Sequence, residues 1–193
     1  MTNSVRAKGK ALTRARIVKA AIEAFSELGY RSTTMSHVAD RAGIGRATLY
    51  LHFASKHDLA DEIARSIEPR MIRVVRSLSS VALSEEGISK WVDSVITGLR
   101  SFGTVTGVVN DAIGHNPDLA LSLMMSMRRA SAGVLAELSA RGWRGTIDSG
   151  ALAVLLTATM QLGSSFFAGR EKESTSVEEQ EALVRLWLLV LTN

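Results

Sequence analysis

The chain of 193 residues contains no cysteine and only two prolines. The first absence excludes disulfides, thiolate metal sites and a cysteine nucleophile, and it fits a reducing cytoplasm. The second leaves long stretches that nothing interrupts as helix. Strand-like alternation of apolar and polar residues is also missing. The longest apolar stretch, 151–167, is broken by Thr157, Thr159, Gln161, Ser164 and Ser165, so it predicts a buried helix and not a membrane span. The basic N-terminal twenty residues have no apolar core of a secretory signal, which predicts a soluble cytoplasmic protein. His37, His52, His57 and His115 show no zinc-binding spacing. A nucleophile elbow, a phosphate-binding glycine loop and paired carboxylates facing a likely cleft are lacking too, and Asp111 with His115, an acid–imidazole pair at helical spacing, reads as a helix-surface contact or a helix end. Catalytic residues, metal ligands and a cofactor are therefore not expected, and the chain does not read as an enzyme.

What is present is a folded composition, 46% apolar and 22% charged, with an uneven charge distribution. Residues 1–57 hold ten Lys or Arg against Glu23, Glu27 and Asp40, a surplus of seven positive charges. The whole chain carries only +4, so the remainder is slightly acidic. A basic head on an acidic body predicts a polyanionic partner for the head.

Helical periodicity runs through nearly the whole chain. After a polar basic arm over 1–11, Thr13 stands as an N-cap before Ile17, Ala21, Ala24, Phe25 and Leu28 on one face, with Gly29 as C-cap. A short helix follows on Met35, Val38, Ala39 and Ala42, capped by Thr33 or Thr34 and closed by Gly43. A third covers 46–53, and Ser55 with Asp58 caps a fourth that passes Leu59, Ile63 and Ile67 and bends at Pro69. Further helices are predicted on the stripe Ile88, Trp91, Val95 and Leu99, over 117–140, over 148–168 and over 177–191, with a polar loop at 169–176. The expected fold is all-α with about nine helices. It divides into a flexible basic arm (1–11), a three-helix helix-turn-helix domain (12–58) and a C-terminal helical bundle (59–193).

The segment 33–53 carries the function. Two short helices that cross steeply need a tight turn and small inner faces. Ala39 and Ala42 permit close approach, Gly43 supplies the left-handed turn, and Ile44 plugs the space beneath it. Leu49 and Phe53, four residues apart, face inward, leaving Arg46, Ala47, Thr48, Tyr50 and His52 for a major groove. Arginine reads guanine or grips phosphate, threonine meets a thymine methyl or a phosphate, and tyrosine donates to phosphate.

From Thr13 to Ile63 the chain resembles the DNA-binding domain of the TetR family of bacterial regulators. The resemblance rests on Phe25, Leu28, Gly29 and Tyr30; Thr34 and Val38-Ala39; Ala42-Gly43-Ile44; Thr48-Leu49-Tyr50; and His52-Phe53 followed by Ser55, Lys56 and Leu59. Gly45 departs from the family's usual capping serine, and Ala47 stands where glycine or proline is common. The resemblance implies that Thr34, Gly45, Arg46, Ala47, Thr48, Tyr50, His52 and Lys56 face DNA, with Lys56 reaching a phosphate at the start of the fourth helix. His37 is expected at the surface or as a cap.

The same resemblance implies a homodimer through the last two helices and a palindromic operator in double-stranded DNA. Its reading helices would lie about 34–36 Å apart. The small residues Ala151, Ala158, Gly163 and Ser164, and the apolar face Leu183, Leu186, Trp187 and Val190, agree with such pairing. Large or flexible apolar residues in this half, among them Met124, Met127 and Phe166, suit a small apolar or aromatic effector. The arrangement is also similar to a mycobacterial member of the family with a long apolar channel, which implies Trp91, Met125, Thr159 and Trp187 as pocket residues, with Phe102 beside them. The expected function is a ligand-responsive, homodimeric repressor. The alternatives are an architectural DNA-binding protein without an effector, or a small-molecule enzyme.

Overall fold

The computed structural model describes residues 2–167 and 177–192, with side chains over 6–161, at 178 and over 180–192. All secondary structure among the described residues is helical. The elements are α1 (Thr2–Leu28), α2 (Met35–Ala42), α3 (Arg46–Tyr50), α4 (Lys56–Ser77), a 3-10 turn (Leu78–Ser80), α5 (Glu85–Ser101), α6 (Thr104–Ile113), α7 (Pro117–Ala140), α8 (Ser149–Phe167) and α9 (Val177–Thr192). The all-α expectation is met. The loop expected at 169–176 lies outside the described residues, as do the side chains of Gly163, Ser164 and Phe166. No helix among the described residues is long and apolar enough to cross a membrane.

One boundary differs from expectation. The basic arm is the first part of α1, and Thr13, expected as its N-cap, instead donates its hydroxyl to the Gly9 carbonyl at 3.0 Å within the helix. Residues 6–12 are rich in Ala, Lys, Arg and Leu and hold no proline, so the helix propagates outward from its packed portion. Every residue from Arg6 to Leu12 is exposed.

Contacts group the chain into two compact units: residues 1–66 with 107–119, and residues 67–106 with 120–193. The head expected at 12–58 thus takes in the start of α4 and the stretch that joins α6 to α7. Two long-range hydrogen bonds account for the second addition. The Asp111 carboxylate accepts from the Tyr30 backbone N–H at 2.5 Å, and the Asn116 amide donates to Asp61 at 3.4 Å. The partners are 81 and 55 residues apart in sequence, beyond the reach of local pattern. Asn116 also caps α7 by accepting from the Leu119 N–H at 3.2 Å, ahead of Pro117 in the first turn.

In the first unit, Ile17, Ala21 and Ala24 of α1 are fully buried, as are Val38 and Ala39 of α2, and α1 packs on α2. Leu59 and Ile63 of α4 are likewise fully buried, each large side chain contributing about 1.5–3 kcal/mol relative to exposure. An ion pair ties α1 to α4: Arg14 donates Nε and Nη2 to the two Glu62 carboxylate oxygens, at 3.2 and 2.9 Å.

In the second unit, α5 packs against α8 and α9. Its buried stripe of Ile88, Trp91, Val92, Val95 and Leu99 joins Val134 and Leu138 of α7, Leu152 and Leu156 of α8, and Trp187 and Leu191 of α9. The rings of Trp91 and Trp187 meet edge to face at 4.9 Å. Ser84 caps α5, accepting from the Gly87 N–H at 3.2 Å. Asp148 caps α8, and the N–H groups of Ala151 and Gly150 hold its carboxyl below the ordinary aspartate range.

The Arg14 guanidinium, chiefly by its hydrogen bonds, keeps the Glu62 carboxyl below its ordinary value of 4.5. The folded value is depressed, so the pair's stabilisation is complete above 4.5 and disappears as pH falls through the lower folded value. Both side chains are 30–40% exposed, which limits the gain to within about 1 kcal/mol. Glu62→Gln is therefore expected to lower Tm near neutral pH and to have little effect in acid, below the folded value. Thermal melts across that range check it, and an equal deficit at both ends would refute the pairing.

Candidate nucleic-acid interface

The surface that the sequence assigns to DNA is built from two helices too short to persist alone, so their ends are closed by specific hydrogen bonds. Thr34 caps α2: its hydroxyl accepts from the His37 N–H at 3.2 Å, while His37 Nδ1 accepts from the Thr34 N–H at 3.3 Å. This reciprocal pair is a capping box with histidine in the carboxylate's place. His37 is thereby a cap, as expected. Thr33 is buried instead and donates its hydroxyl to the Gly29 carbonyl at 2.8 Å.

At the other end of α2, Gly43 adopts φ 61° and ψ 41°, the left-handed region, and its N–H returns to the Asp40 carbonyl at 3.1 Å. The Ile44 N–H returns to Ala39 at 3.1 Å, which closes the turn. Gly45 then begins α3 in an extended conformation with no side-chain cap, and nothing lies within 4 Å of where its Cβ would stand.

α3 is only five residues long. Leu49 and Phe53, 0% and 2% exposed, anchor its inner side. Arg14 supports its far end, donating Nη1 to the His52 carbonyl at 3.0 Å with its guanidinium 4.1 Å from the Phe53 ring centroid. The opposite side carries Arg46, Ala47, Thr48 and Tyr50, all exposed. Leu51, to which the sequence pattern assigned no role, is 80% exposed at the end of this surface. The importance of Arg14 was equally invisible, because its partners lie 38 and 48 residues away.

Two expected contacts are placed differently. His52 is half-buried, and its Nδ1 is enclosed without a partner. Lys56 turns inward: its ammonium donates to the carbonyls of Tyr30, Arg31 and Thr33 at 2.8, 2.9 and 3.2 Å and sits 4.7 Å from the Tyr30 ring centroid. Its three N–H groups are all used in holding the turn after α1, so it has none left for a phosphate. Beneath it, burial first and then Asp61 and Asp111 push the Tyr30 hydroxyl up to about 12, and that hydroxyl lies 3.1 Å from His57 Nδ1. Ser55 caps α4 as expected, but Asp58 reaches back to the Ala54 N–H at 2.9 Å, one residue before the cap.

Of the five effector candidates, Trp91, Thr159, Trp187 and Phe102 are buried in the second unit. The rings of Trp91 and Trp187 are in contact. Trp91 Nε1 donates to the Val74 carbonyl at 3.3 Å, whereas Trp187 Nε1 is buried without a partner among the described residues. Phe102 lies under the Arg70 guanidinium, 4.8 Å from ring centroid to charge. Met125 is 52% exposed. Met127 faces the core, and a residue two positions away on a helix points to the opposite side, so Met125 does not belong to an interior site.

Residues 17–63 match the family model described as bacterial regulatory proteins, tetR family. Over this stretch the chain is similar to that family. An HTH-type transcriptional regulator of Bacillus subtilis, YhgD, is 40% identical over 55 residues, 28% of this chain and 29% of that protein. The HTH-type transcriptional repressor KstR2 of Rhodococcus jostii is 29% identical over 108 residues, 55% of this chain and 53% of that one. The chain thus spans from under a third to about half the length of these curated relatives. Among solved structures, Salmonella enterica GusR superposes with a TM-score of 0.74 at 25% identity, covering 94% of this chain and 96% of that one. The fold of that structure therefore accounts for nearly the whole chain, whereas the likeness to the family model is confined to residues 17–63.

Gly43→Ala is expected to destabilise the protein by about 1 kcal/mol, lowering Tm by about 2–4 °C. The cost is conformational alone, since nothing lies within 4 Å of the new Cβ. An unchanged melt would show that the turn does not depend on its left-handed residue.

Proposed function

We propose that the chain is a cytoplasmic, homodimeric DNA-binding repressor, released from a palindromic operator by a small, largely apolar effector. The observation that carries this reading is the surface of α3: four consecutive-turn residues, Arg46, Ala47, Thr48 and Tyr50, exposed above a fully packed inner side. Arg46 supplies a base-reading fork, Thr48 and Ala47 fit a thymine methyl, and Tyr50 donates to a phosphate. The naming of KstR2 as a repressor supports the direction of control.

Dimerisation through the last two helices is supported by Val154 on α8 and Leu186 and Leu189 on α9, which are 59%, 43% and 62% exposed. Exposed large apolar side chains on each of the last two helices favour a partner surface, and a second copy of the same helices is self-complementary. The effector is supported by the second unit's core, where Trp187 holds an unused N–H beside Trp91. An apolar ligand bearing one hydrogen-bond acceptor suits that environment. Its binding would shift the population toward a form that does not fit DNA.

Tyr50→Ala is expected to weaken binding to all DNA sequences, with Arg46→Ala also changing base preference in a selection from random duplexes. The selected site should be two-fold symmetric and bind two chains. Equal losses on selected and random DNA for both variants would remove the reading role of Arg46. For the effector, compounds found by quenching of tryptophan fluorescence should lower DNA affinity by the factor by which DNA lowers theirs. A tight ligand without effect on DNA would overturn the release mechanism.

A further inference from the structure

The face of α1 that packs into the first unit does not end where the core ends. Ile17, Ala21 and Ala24 are fully buried, and steps of three and four residues toward the N-terminus continue the same stripe through Arg14, Lys10 and Arg6. One helix face therefore changes at Arg14 from apolar to basic. Arg14 marks the junction, since it reaches the His52 carbonyl and the Phe53 ring at the end of α3. Beyond it the helix overhangs, and Arg6 and Lys10 are both exposed and enter no ion pair among the described residues. No acidic residue precedes Glu23. Lys8, by contrast, lies two residues from each and points to the opposite side.

We propose that the overhanging start of α1 is a second DNA-binding element, in which Arg6 and Lys10 contact backbone phosphates flanking the groove entered by α3. The proposal rests on the DNA-binding reading above. Eight residues of helix separate Arg6 from Arg14, about 12 Å, so the stripe extends the footprint by roughly two phosphates along a strand. The contacts are to phosphate alone, so they add affinity and salt dependence without altering the sequence preferred.

The test measures binding of the full chain to a random-sequence duplex of about 30 base pairs over a salt titration. Each phosphate contact contributes about 0.9 to the slope of log K against log salt, so the double variant Arg6→Gln/Lys10→Gln should reduce the slope by about 1.8 per bound chain. Lys8→Gln serves as the control and should leave the slope unchanged, with Tm equal in all three proteins. An unchanged slope in the double variant overturns the proposal, as does a reduction of about 0.9 from Lys8→Gln, the same loss per charge, which would mean diffuse attraction and no directed face. Tyr50→Ala separates this from the reading it rests on. If Tyr50→Ala weakens binding while the double variant keeps its slope, the overhang alone is wrongly assigned. If neither has an effect, the DNA-binding reading itself fails.

Discussion

A helix of five residues cannot hold its own conformation in water, because helix nucleation is unfavourable and propagation has no room to repay it. Everything that α3 presents to a partner depends on what fixes it from below. Leu49 and Phe53 set its roll, Gly43 sets the angle at which it leaves α2, and Arg14 pins its end. The Arg14 guanidinium is engaged in three ways at once: on the Glu62 carboxylate, on the His52 carbonyl and over the Phe53 ring. Arginine suits the position because its planar fork stacks and bonds together, which a lysine ammonium does not. The exposed side of α3 is thus held by tertiary contact, supported from α1 and α4 as much as from α3 itself.

Much of this was legible in the sequence wherever the determinants were local. The stripe of α1, the capping threonine, the left-handed glycine and the inward pair Leu49 and Phe53 all follow from spacing within a few residues. The limits of α7, from Pro117 to Ala140, follow in the same way. What escaped was decided at long range. Lys56 looks like a free cation at the start of a helix, and only the folded turn after α1 brings three carbonyls to it. The inclusion of 107–119 with the head depends on Asp111 meeting an N–H 81 residues away. The arm failed for a different reason: residues without apolar periodicity remain helical when they continue a helix that is already nucleated.

The effector candidates divide along the same line. Trp91 and Trp187 are found together because both lie on core-facing stripes of α5 and α9, which pack on one another. Met125 was chosen by residue type, and residue type says nothing of which side of α7 it occupies. The tryptophan pair is more informative than its area. A buried indole N–H without an acceptor costs about 1–3 kcal/mol, and phenylalanine would fill much of the same space without that cost. Under the proposed effector binding, an acceptor on the ligand would supply the bond that Trp187 Nε1 lacks among the described residues.

Charge placement links the two ends of the first unit. The surplus of positive charge over residues 1–57 would repel itself in a compact head, and Glu27 with Arg41 and Glu62 with Arg14 neutralise only the part that is packed. Lys56 is absorbed by backbone carbonyls. The exposed cations for which no ion pair is seen among the described residues include Arg6, Lys8, Lys10 and Arg16 on α1, Arg31 in the turn after it and Arg46 on α3. An uncompensated cation gains little from water that it would not gain elsewhere, but opposite a phosphate it also releases a condensed counterion. The cations that folding leaves unneutralised are consequently the ones from which a polyanion, under the proposed function, would gain most.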